Sequence, residues 1–136
     1  MNKWLGQINK CTDCDACLAV CPTYEVTGNL SFSPKGRLRI AKEVLEKKNI
    51  TETAVTASYN CPKCGSCETV CPEKIEISRI VAETRNAIVE GGKGPLPAHT
   101  KVIETLLEKG NSVNGDPGKR LEWLPEPFQP HTSATL

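Results

Sequence analysis

The sequence predicts a mostly α-helical protein that folds around two groups of cysteine side chains. Several segments place apolar residues at helical spacing between capping residues, and no segment convincingly alternates apolar and polar residues as a half-buried strand does. All eight cysteines lie in two runs of the same form, C-x2-C-x2-C-x3-C-P, at residues 11–22 and 61–72. We therefore expect amphipathic helices, with the two cysteine runs as the connections between them.

The two cysteine runs predict iron–sulfur cofactors. The first reads C-T-D-C-D-A-C-L-A-V-C-P and the second C-P-K-C-G-S-C-E-T-V-C-P. Three thiolates at three-residue spacing can surround one cube of iron and sulfide, and in two-cluster ferredoxins the fourth cysteine of such a run ligates the other cluster. We therefore expect two [4Fe–4S] clusters. The predicted ligands are Cys11, Cys14, Cys17 and Cys71 for cluster 1, and Cys61, Cys64, Cys67 and Cys21 for cluster 2.

Two other uses of eight cysteines fit the pattern less well. A disulfide framework is typical of small secreted domains, but MNKWLGQINK has no apolar signal-peptide region. Structural zinc also takes four thiolates and is the stronger rival. Zinc ribbons, however, use paired C-x2-C knuckles, whereas both runs here have three cysteines, then a fourth followed by proline.

Composition and charge exclude several classes of function. The chain has 136 residues with only 4% aromatics, so its core must depend on aliphatic side chains and on the clusters themselves. A net charge of +1 gives no electrostatic footprint for nucleic acid. No apolar run approaches the roughly 18 residues that a membrane span needs. Thiolates that hold iron–sulfur clusters indicate a reducing compartment, most simply the cytoplasm.

The first half of the chain predicts one long helix after the first run. Trp4, Leu5 and Ile8 have helical spacing, although a frayed terminus fits equally well. Residues 23–33 read as a loop, with Gly28-Asn29 as a turn. Ser33 can cap a helix over residues 35–48 and Pro34 suits its first position. The predicted buried face of this helix consists of Leu38, Ala41, Val44 and Leu45.

The second half predicts three further helices and a tail. Thr51 can cap a short helix that leads to Cys61, and a 3.6-residue stripe predicts a helix over residues 77–90. The stripe consists of Ile77, Ile80, Val81, Thr84 and Ile88. A last helix, after Pro97, ends at Gly110, with Val102, Ile103, Leu106 and Leu107 as its predicted buried face. We expect one domain over residues 1–110 and an extended, proline-containing tail over 111–136 that docks on a partner.

No group of residues predicts substrate chemistry. His99 and His131 are single histidines far from any cysteine, and there is no phosphate-binding glycine loop. With every cluster iron held by thiolates, no coordination position is open to a substrate. We therefore expect no catalytic residue in the chain, and a role limited to the transfer of single electrons.

Beyond the cysteine runs, two segments resemble a known family. The linker FSPKGRLRIAKEVL and the stretch GNSVNGDPGKRLEWLPE resemble segments of α-helical ferredoxin domains, and the resemblance covers about residues 8–125. In heterodisulfide reductases, such a domain forms one subunit and the N-terminal part of another. Similar α-helical ferredoxin domains also occur in the iron–sulfur subunits of glycolate oxidase, anaerobic glycerol-3-phosphate dehydrogenase and lactate-utilisation systems. The resemblance implies an α-helical ferredoxin fold and an electron-transfer role within an anaerobic oxidoreductase complex.

The same resemblance implies partners. Long family members continue into CCG domains, but no Cys-Cys-Gly occurs in this sequence. We therefore expect a CCG-domain catalytic subunit and a flavin-containing subunit on other chains. The alternative is a free, diffusing ferredoxin-like carrier. Such carriers are usually strongly acidic because they dock by electrostatic steering, which a net charge of +1 does not favour.

Overall fold

Helices supply all the regular structure of residues 3–125, the part of the chain that the computed structural model describes, and no strand occurs among them. The α-helices are α1 (Lys3–Ile8), α2 (Pro22–Thr27), α3 (Pro34–Lys47), α4 (Glu52–Tyr59), α5 (Ser66–Thr69), α6 (Ile77–Glu90) and α7 (Pro97–Lys109). Short 3-10 helices cover Leu30–Phe32 and Pro117–Lys119. The mostly helical fold expected from the sequence is confirmed.

The chain divides into two compact units, Met1–Pro95 and Leu96–Leu136. The first unit contains both cysteine runs, and the second contains α7. The domain boundary expected after residue 110 stays a prediction. Most of the proline-containing part of the tail, residues 126–136, lies outside the described residues, as does His131. Within residues 3–125, no helix is both long enough and apolar enough to cross a membrane.

The core of the first unit lies between α3 and α6, with α1 and α4 packed against α3. The predicted stripe of α6 is buried along its whole length, as is the predicted face of α3. The buried side chains are nearly all aliphatic, so burial of apolar area stabilises the unit with few aromatic contacts. Trp4 and Leu5 of α1 pack against the edge of this core. Of the two alternatives for the N-terminal segment, a helix and a frayed terminus, the helix is therefore the one observed.

The start of α3 is defined by three residues of its first turn. The Ser33 hydroxyl accepts a hydrogen bond from the Gly36 N–H at 3.0 Å, as expected of a helix cap, and Pro34 occupies the first helical position. Gly36 is required by close packing, because a Cβ there would overlap the carbonyl oxygen of Leu30. The 3-10 helix Leu30–Phe32 therefore lies directly against the first turn of α3.

Two expectations about helices were wrong. The segment after the first cysteine run was expected to be a loop, but Pro22 begins α2, which ends at Gly28 in the left-handed conformation. A proline that follows a cysteine run can start a helix, because its fixed φ suits the first helical position. The expected apolar face of α7 is not buried: Val102, Ile103 and Leu106 are 40–48% exposed, and Leu107 is 84% exposed.

Candidate metal centre

The eight cysteines surround two cavities of the same size. Each has an empty volume of about 370 Å³, part of which is open to solvent. One cavity is lined by Cys11, Cys14 and Cys17 of the first run together with Cys71 of the second. The other is lined by Cys61, Cys64 and Cys67 of the second run together with Cys21 of the first. We call them cavity 1 and cavity 2. Each cavity thus brings together four thiols, three from one run and one from the other.

The thiols differ in exposure within each set. Cys21 and Cys71, the last cysteines of the two runs, are 7% and 9% exposed, whereas Cys14 and Cys64 lie at the surface. In residues 3–125, no three His, Cys, Asp or Glu side chains converge closely enough to hold a single metal ion. The thiols are instead spread around the walls of the two cavities, which suits a group that has several metal atoms.

The two loops have matching backbone geometry. Asp13 and Lys63, each one residue before the second cysteine of its run, both have φ of 56°. Asp15 and Gly65, each one residue after that cysteine, have φ of 64° and 80°. Left-handed residues turn successive backbone N–H groups toward the same side, which makes concave sites for anions. The same main-chain form is therefore built twice, although the side chains at these positions differ in charge.

The Cys21 sulfur has polar neighbours inside the protein. The Thr23 hydroxyl lies 3.3 Å from it and donates a hydrogen bond to the Phe32 carbonyl at 2.9 Å. Nη1 of Arg37 lies 3.8 Å from the same sulfur. Since cubanes with four thiolates are anionic, donors at sulfur compensate for the cost of burying them. The surroundings of Cys21 therefore fit a sulfur that carries negative charge.

Arg37 is the most buried cation of the site, with 3% of its surface exposed. Its Nε donates a hydrogen bond to the Ala57 carbonyl at 2.8 Å, and its Nη2 donates one to the Thr23 hydroxyl at 2.9 Å. These two bonds hold the guanidinium in one orientation, with Nη1 directed at Cys21. No carboxylate forms an ion pair with Arg37 among residues 3–125.

A second cation, Lys35, lines cavity 1 and has carboxylate partners. Its Nζ contacts the carboxylates of both Asp15 and Asp13, the latter at 3.5 Å. Arg39 also pairs with Asp13 at 2.9 Å. The nearby Arg39 guanidinium holds the pKa of the Asp13 carboxyl below its usual range, with a smaller contribution from Lys35. The Asp13 carboxyl is therefore ionised, and it neutralises part of the charge of Lys35 and Arg39.

The pKa values of the thiols separate into two groups. Burial raises the pKa of Cys17, and burial followed by repulsion from Glu68 and the neighbouring thiolates raises that of Cys67 to about 12. Burial opposes ionisation of Cys21 too, but the adjacent Thr23 hydroxyl and hydrogen bonds from the Tyr24 N–H and Arg37 outweigh it and lower its pKa. Since metal ligation requires the thiolate, ligation by Cys17 or Cys67 would release a proton.

Sequence analysis did not identify Arg37 as part of the site. A signal was nevertheless present, because Arg37 lies four residues before Ala41 and seven before Val44, on the buried stripe of α3. A charged residue on an apolar stripe is rarely buried unless it has a polar partner. His99 lies on α7, outside the unit that contains the cysteines.

This geometry defines an iron–sulfur protein with two clusters, and comparison with known proteins gives its family. Residues 7–75 match the 4Fe-4S dicluster domain, and the chain belongs to that family. With eight cysteines in two equivalent sets of four, it carries two [4Fe–4S] clusters. No solved structure matches the chain at a significant level.

Several curated relatives are named as subunits of redox enzymes. The chain is 32% identical over 103 residues to the glycolate oxidase iron-sulfur subunit of Escherichia coli, a match that covers 76% of this chain and 24% of that protein. It is 27% identical to a subunit of the fumarate reductase (CoM/CoB) of Methanothermobacter marburgensis, covering 79% and 23%. It is 25% identical to a subunit of the dihydromethanophenazine:CoB–CoM heterodisulfide reductase of Methanosarcina mazei, covering 89% and 34%. The chain thus spans about a quarter to a third of these relatives.

Proposed function

We propose that the chain is the electron-transfer module of an oxidoreductase complex of heterodisulfide reductase type, and that its clusters are held crosswise. Cluster 1 is bound by Cys11, Cys14, Cys17 and Cys71, and cluster 2 by Cys61, Cys64, Cys67 and Cys21. The supporting observation is that each cavity is lined by three cysteines of one run and the last cysteine of the other. Ligation in this way ties the two runs to each other.

The residues around the two cavities are arranged as an electron relay requires, with buried residues between the cavities and exposed ones at the surface. A bound [4Fe–4S] cluster supplies a centre that accepts and returns one electron. Ile77 borders both cavities and excludes water between them, and Cys21 and Cys71 lie buried on the inner side. Cys14 and Cys64 lie at the surface, where a redox partner can approach. The chain therefore offers one exposed point of exchange for each cluster and a dry interior between them.

The partners follow from the chemistry that this module does not supply. The cluster ligands leave no metal position open to substrate, so bond chemistry belongs to other modules. We propose a CCG-domain catalytic subunit as one partner and a flavin-containing subunit as the other, in the cytoplasm. The proposal of these partners is supported by three relatives that are named as subunits of redox enzymes, one of them a heterodisulfide reductase.

Iron and sulfide analysis of the anaerobically prepared protein tests the cluster content, and about eight of each per chain are expected for two cubanes. Serine substitutions test the crosswise ligation. Cys21→Ser should alter the same cluster, seen by electron paramagnetic resonance (EPR), as Cys64→Ser, and Cys71→Ser the same cluster as Cys14→Ser. Thr56→Ala, at an exposed position of α4, is the control and should leave both spectra unchanged. The ligation is refuted if Cys21→Ser and Cys14→Ser alter the same cluster.

Purification from native cells tests the complex. We expect the chain to elute with at least one larger flavin- or CCG-containing polypeptide, at a constant ratio across the peak. Elution as a monomer that many unrelated reductases reduce at salt-dependent rates would instead establish a free ferredoxin-like carrier.

A further inference from the structure

The first turn of α3 lies between the two cavities and directs one cation at each. Pro34 and Arg37 line cavity 2, whereas Lys35 and Leu38 line cavity 1. Residues three apart share a helix face, so the alternation follows from helical geometry. One segment of sequence therefore determines a charge next to each cluster.

The two cations differ in what surrounds them. Lys35 contacts Asp13 and Asp15, and its charge is balanced within the first loop. Arg37 has no carboxylate within ion-pair distance in residues 3–125, and its Nη1 lies 3.8 Å from the sulfur of Cys21. The positive charge of Arg37 is therefore directed at cluster 2 without local compensation.

The other charged residues that line the cavities add to this difference. Cavity 1 is lined by the carboxylates of Asp13, Asp15 and Glu73 and by one ammonium group, that of Lys35. Cavity 2 is lined by Arg37 and Lys63 and, within the described part of the chain, by no acidic residue. The nearby Glu68 carboxylate repels charge on Cys67, but it accepts a hydrogen bond from the Ser78 N–H and does not line the cavity. Lys63 lies in an exposed stretch, where solvent screens its charge, whereas Arg37 is buried. Arg37 is thus the main source of the difference.

A buried cation beside a cluster favours the state with the extra electron. Reduction adds one negative charge, and Coulomb attraction in a poorly solvated interior is stronger than at the surface. Hydrogen bonds to cluster sulfurs also raise the reduction potential. Arg37 provides both effects at Cys21, because its Nη1 hydrogen is directed at the sulfur and its other nitrogens are held by Ala57 and Thr23.

We propose that Arg37 makes cluster 2 the cluster of higher potential, so that electrons enter the protein at cluster 1, near Cys14, and leave from cluster 2, near Cys64. The inference rests on the crosswise ligation proposed above, since Cys21 must belong to cluster 2 for Arg37 to act on it. The distribution of a single electron between the two clusters is then a property of this chain, determined mainly by one buried side chain.

A potentiometric titration followed by EPR tests the role of Arg37. The cluster 2 signal is assigned by its alteration in Cys64→Ser. In the wild-type protein, cluster 2 should be reduced first. In Arg37→Gln, the ratio of reduced to oxidised cluster 2 at a fixed potential should fall about tenfold, equivalent to about 59 mV for a one-electron couple. In Arg37→Lys the fall should be smaller, because the charge is retained and only the guanidinium hydrogen bond is lost.

Lys47→Gln is the matched control. Lys47 belongs to the last turn of the same helix, is exposed and pairs with Glu43, so its loss should change the reduced-to-oxidised ratio of either cluster less than twofold. The proposal is overturned if Arg37→Gln holds eight irons and leaves the cluster 2 ratio unchanged, or if cluster 1 shifts instead. Either result would leave the cluster content and the electron-transfer function intact. Failure of the proposal about Arg37 can therefore be distinguished from failure of the proposed function.

A measurement on the unmutated protein covers the case in which Arg37 variants do not assemble. Protein with ¹⁵N only in its arginine guanidinium groups is reduced by one electron, and its pulsed EPR spectrum is recorded. A ¹⁵N coupling is expected, because the first electron resides on the cluster beside Arg37. Absence of the coupling in this state, with its appearance only after the second electron, would overturn the proposal.

Discussion

Asp15 and Gly65 occupy the same position in the two cysteine runs, and both have a left-handed backbone, with φ of 64° and 80°. Asp tolerates this conformation better than most residues that have a Cβ. Asp15 also contacts Lys35, whereas a Cβ at Gly65 would contact nothing within 4 Å. The two loops thus satisfy one backbone requirement with different residues, and only the first adds a negative charge beside its cavity.

Gly65→Ala should destabilise the protein although it causes no clash. A left-handed residue with a Cβ costs about 1–2 kcal/mol, and alanine has no polar side chain to offset it. Urea unfolding under argon, followed by circular dichroism, measures the change. The control is Gly6→Ala at an exposed position of α1, where alanine is expected to stabilise the protein by about 0.5–1 kcal/mol. Equal effects of the two substitutions would contradict the strained geometry at Gly65.

Gly36→Ala should be destabilising for a different reason. Its Cβ would overlap the Leu30 carbonyl oxygen, which is backbone and cannot rotate away. We expect the free energy of unfolding to fall by about 1–3 kcal/mol, as is typical of overpacking. Both clusters should also be bound less stably, because Lys35 and Arg37 flank this residue and line the two cavities. The rate at which the bound clusters lose visible absorbance checks the second effect. Glu46→Ala, at an exposed position on the same helix, should stay within about 0.5 kcal/mol of wild type.

Arg85→Gln should weaken the start of the second run. Arg85 of α6 donates two hydrogen bonds to the Ser58 carbonyl, at 3.0 and 2.8 Å, and one to the Cys61 carbonyl at 2.6 Å. Glutamine cannot reproduce the several hydrogen bonds of the guanidinium group. We expect the free energy of unfolding to fall by about 2–3 kcal/mol, because the carbonyl groups lose their charged donor. On heating, cluster 2 should be lost before cluster 1, which EPR can follow. Arg79→Gln, which removes an exposed arginine of α6, should leave the order unchanged.

Iron removal should affect the cysteine runs more than the helices. Residues 11–15 and 61–65 have no regular secondary structure, whereas α3 and α6 share an aliphatic core in which Cys71 is the one proposed cluster ligand among the buried residues. After chelation under reducing conditions, hydrogen exchange should become fast in both runs while α6 keeps most of its protection. Uniform loss of protection over residues 3–95 would show that the helices depend on the clusters as much as the loops do.

The longer helices of the first unit, α3 and α6, and the start of α4 could be predicted because their signals are local. The stripe from Ile77 to Ile88 predicts a helix with the observed bounds, and Ser33 and Thr51 cap α3 and α4 as expected. The apolar face of α7 could not be assigned correctly, since periodicity identifies a face but not what covers it. The loop expected over residues 23–33 was wrong in its first part, because Pro22 suits the first position of a helix and begins α2.

The sequence by itself determined the cofactor and its number, because cysteine spacing is a local property and the run is repeated. It also determined the long helices, whose apolar stripes must be buried wherever they pack. Only the tertiary structure decided which cation faces which sulfur. Arg37 and Cys21 are sixteen residues apart, and they meet because α3 packs its first turn between the two cavities. Charge acts through distance in space, and sequence separation does not specify that distance.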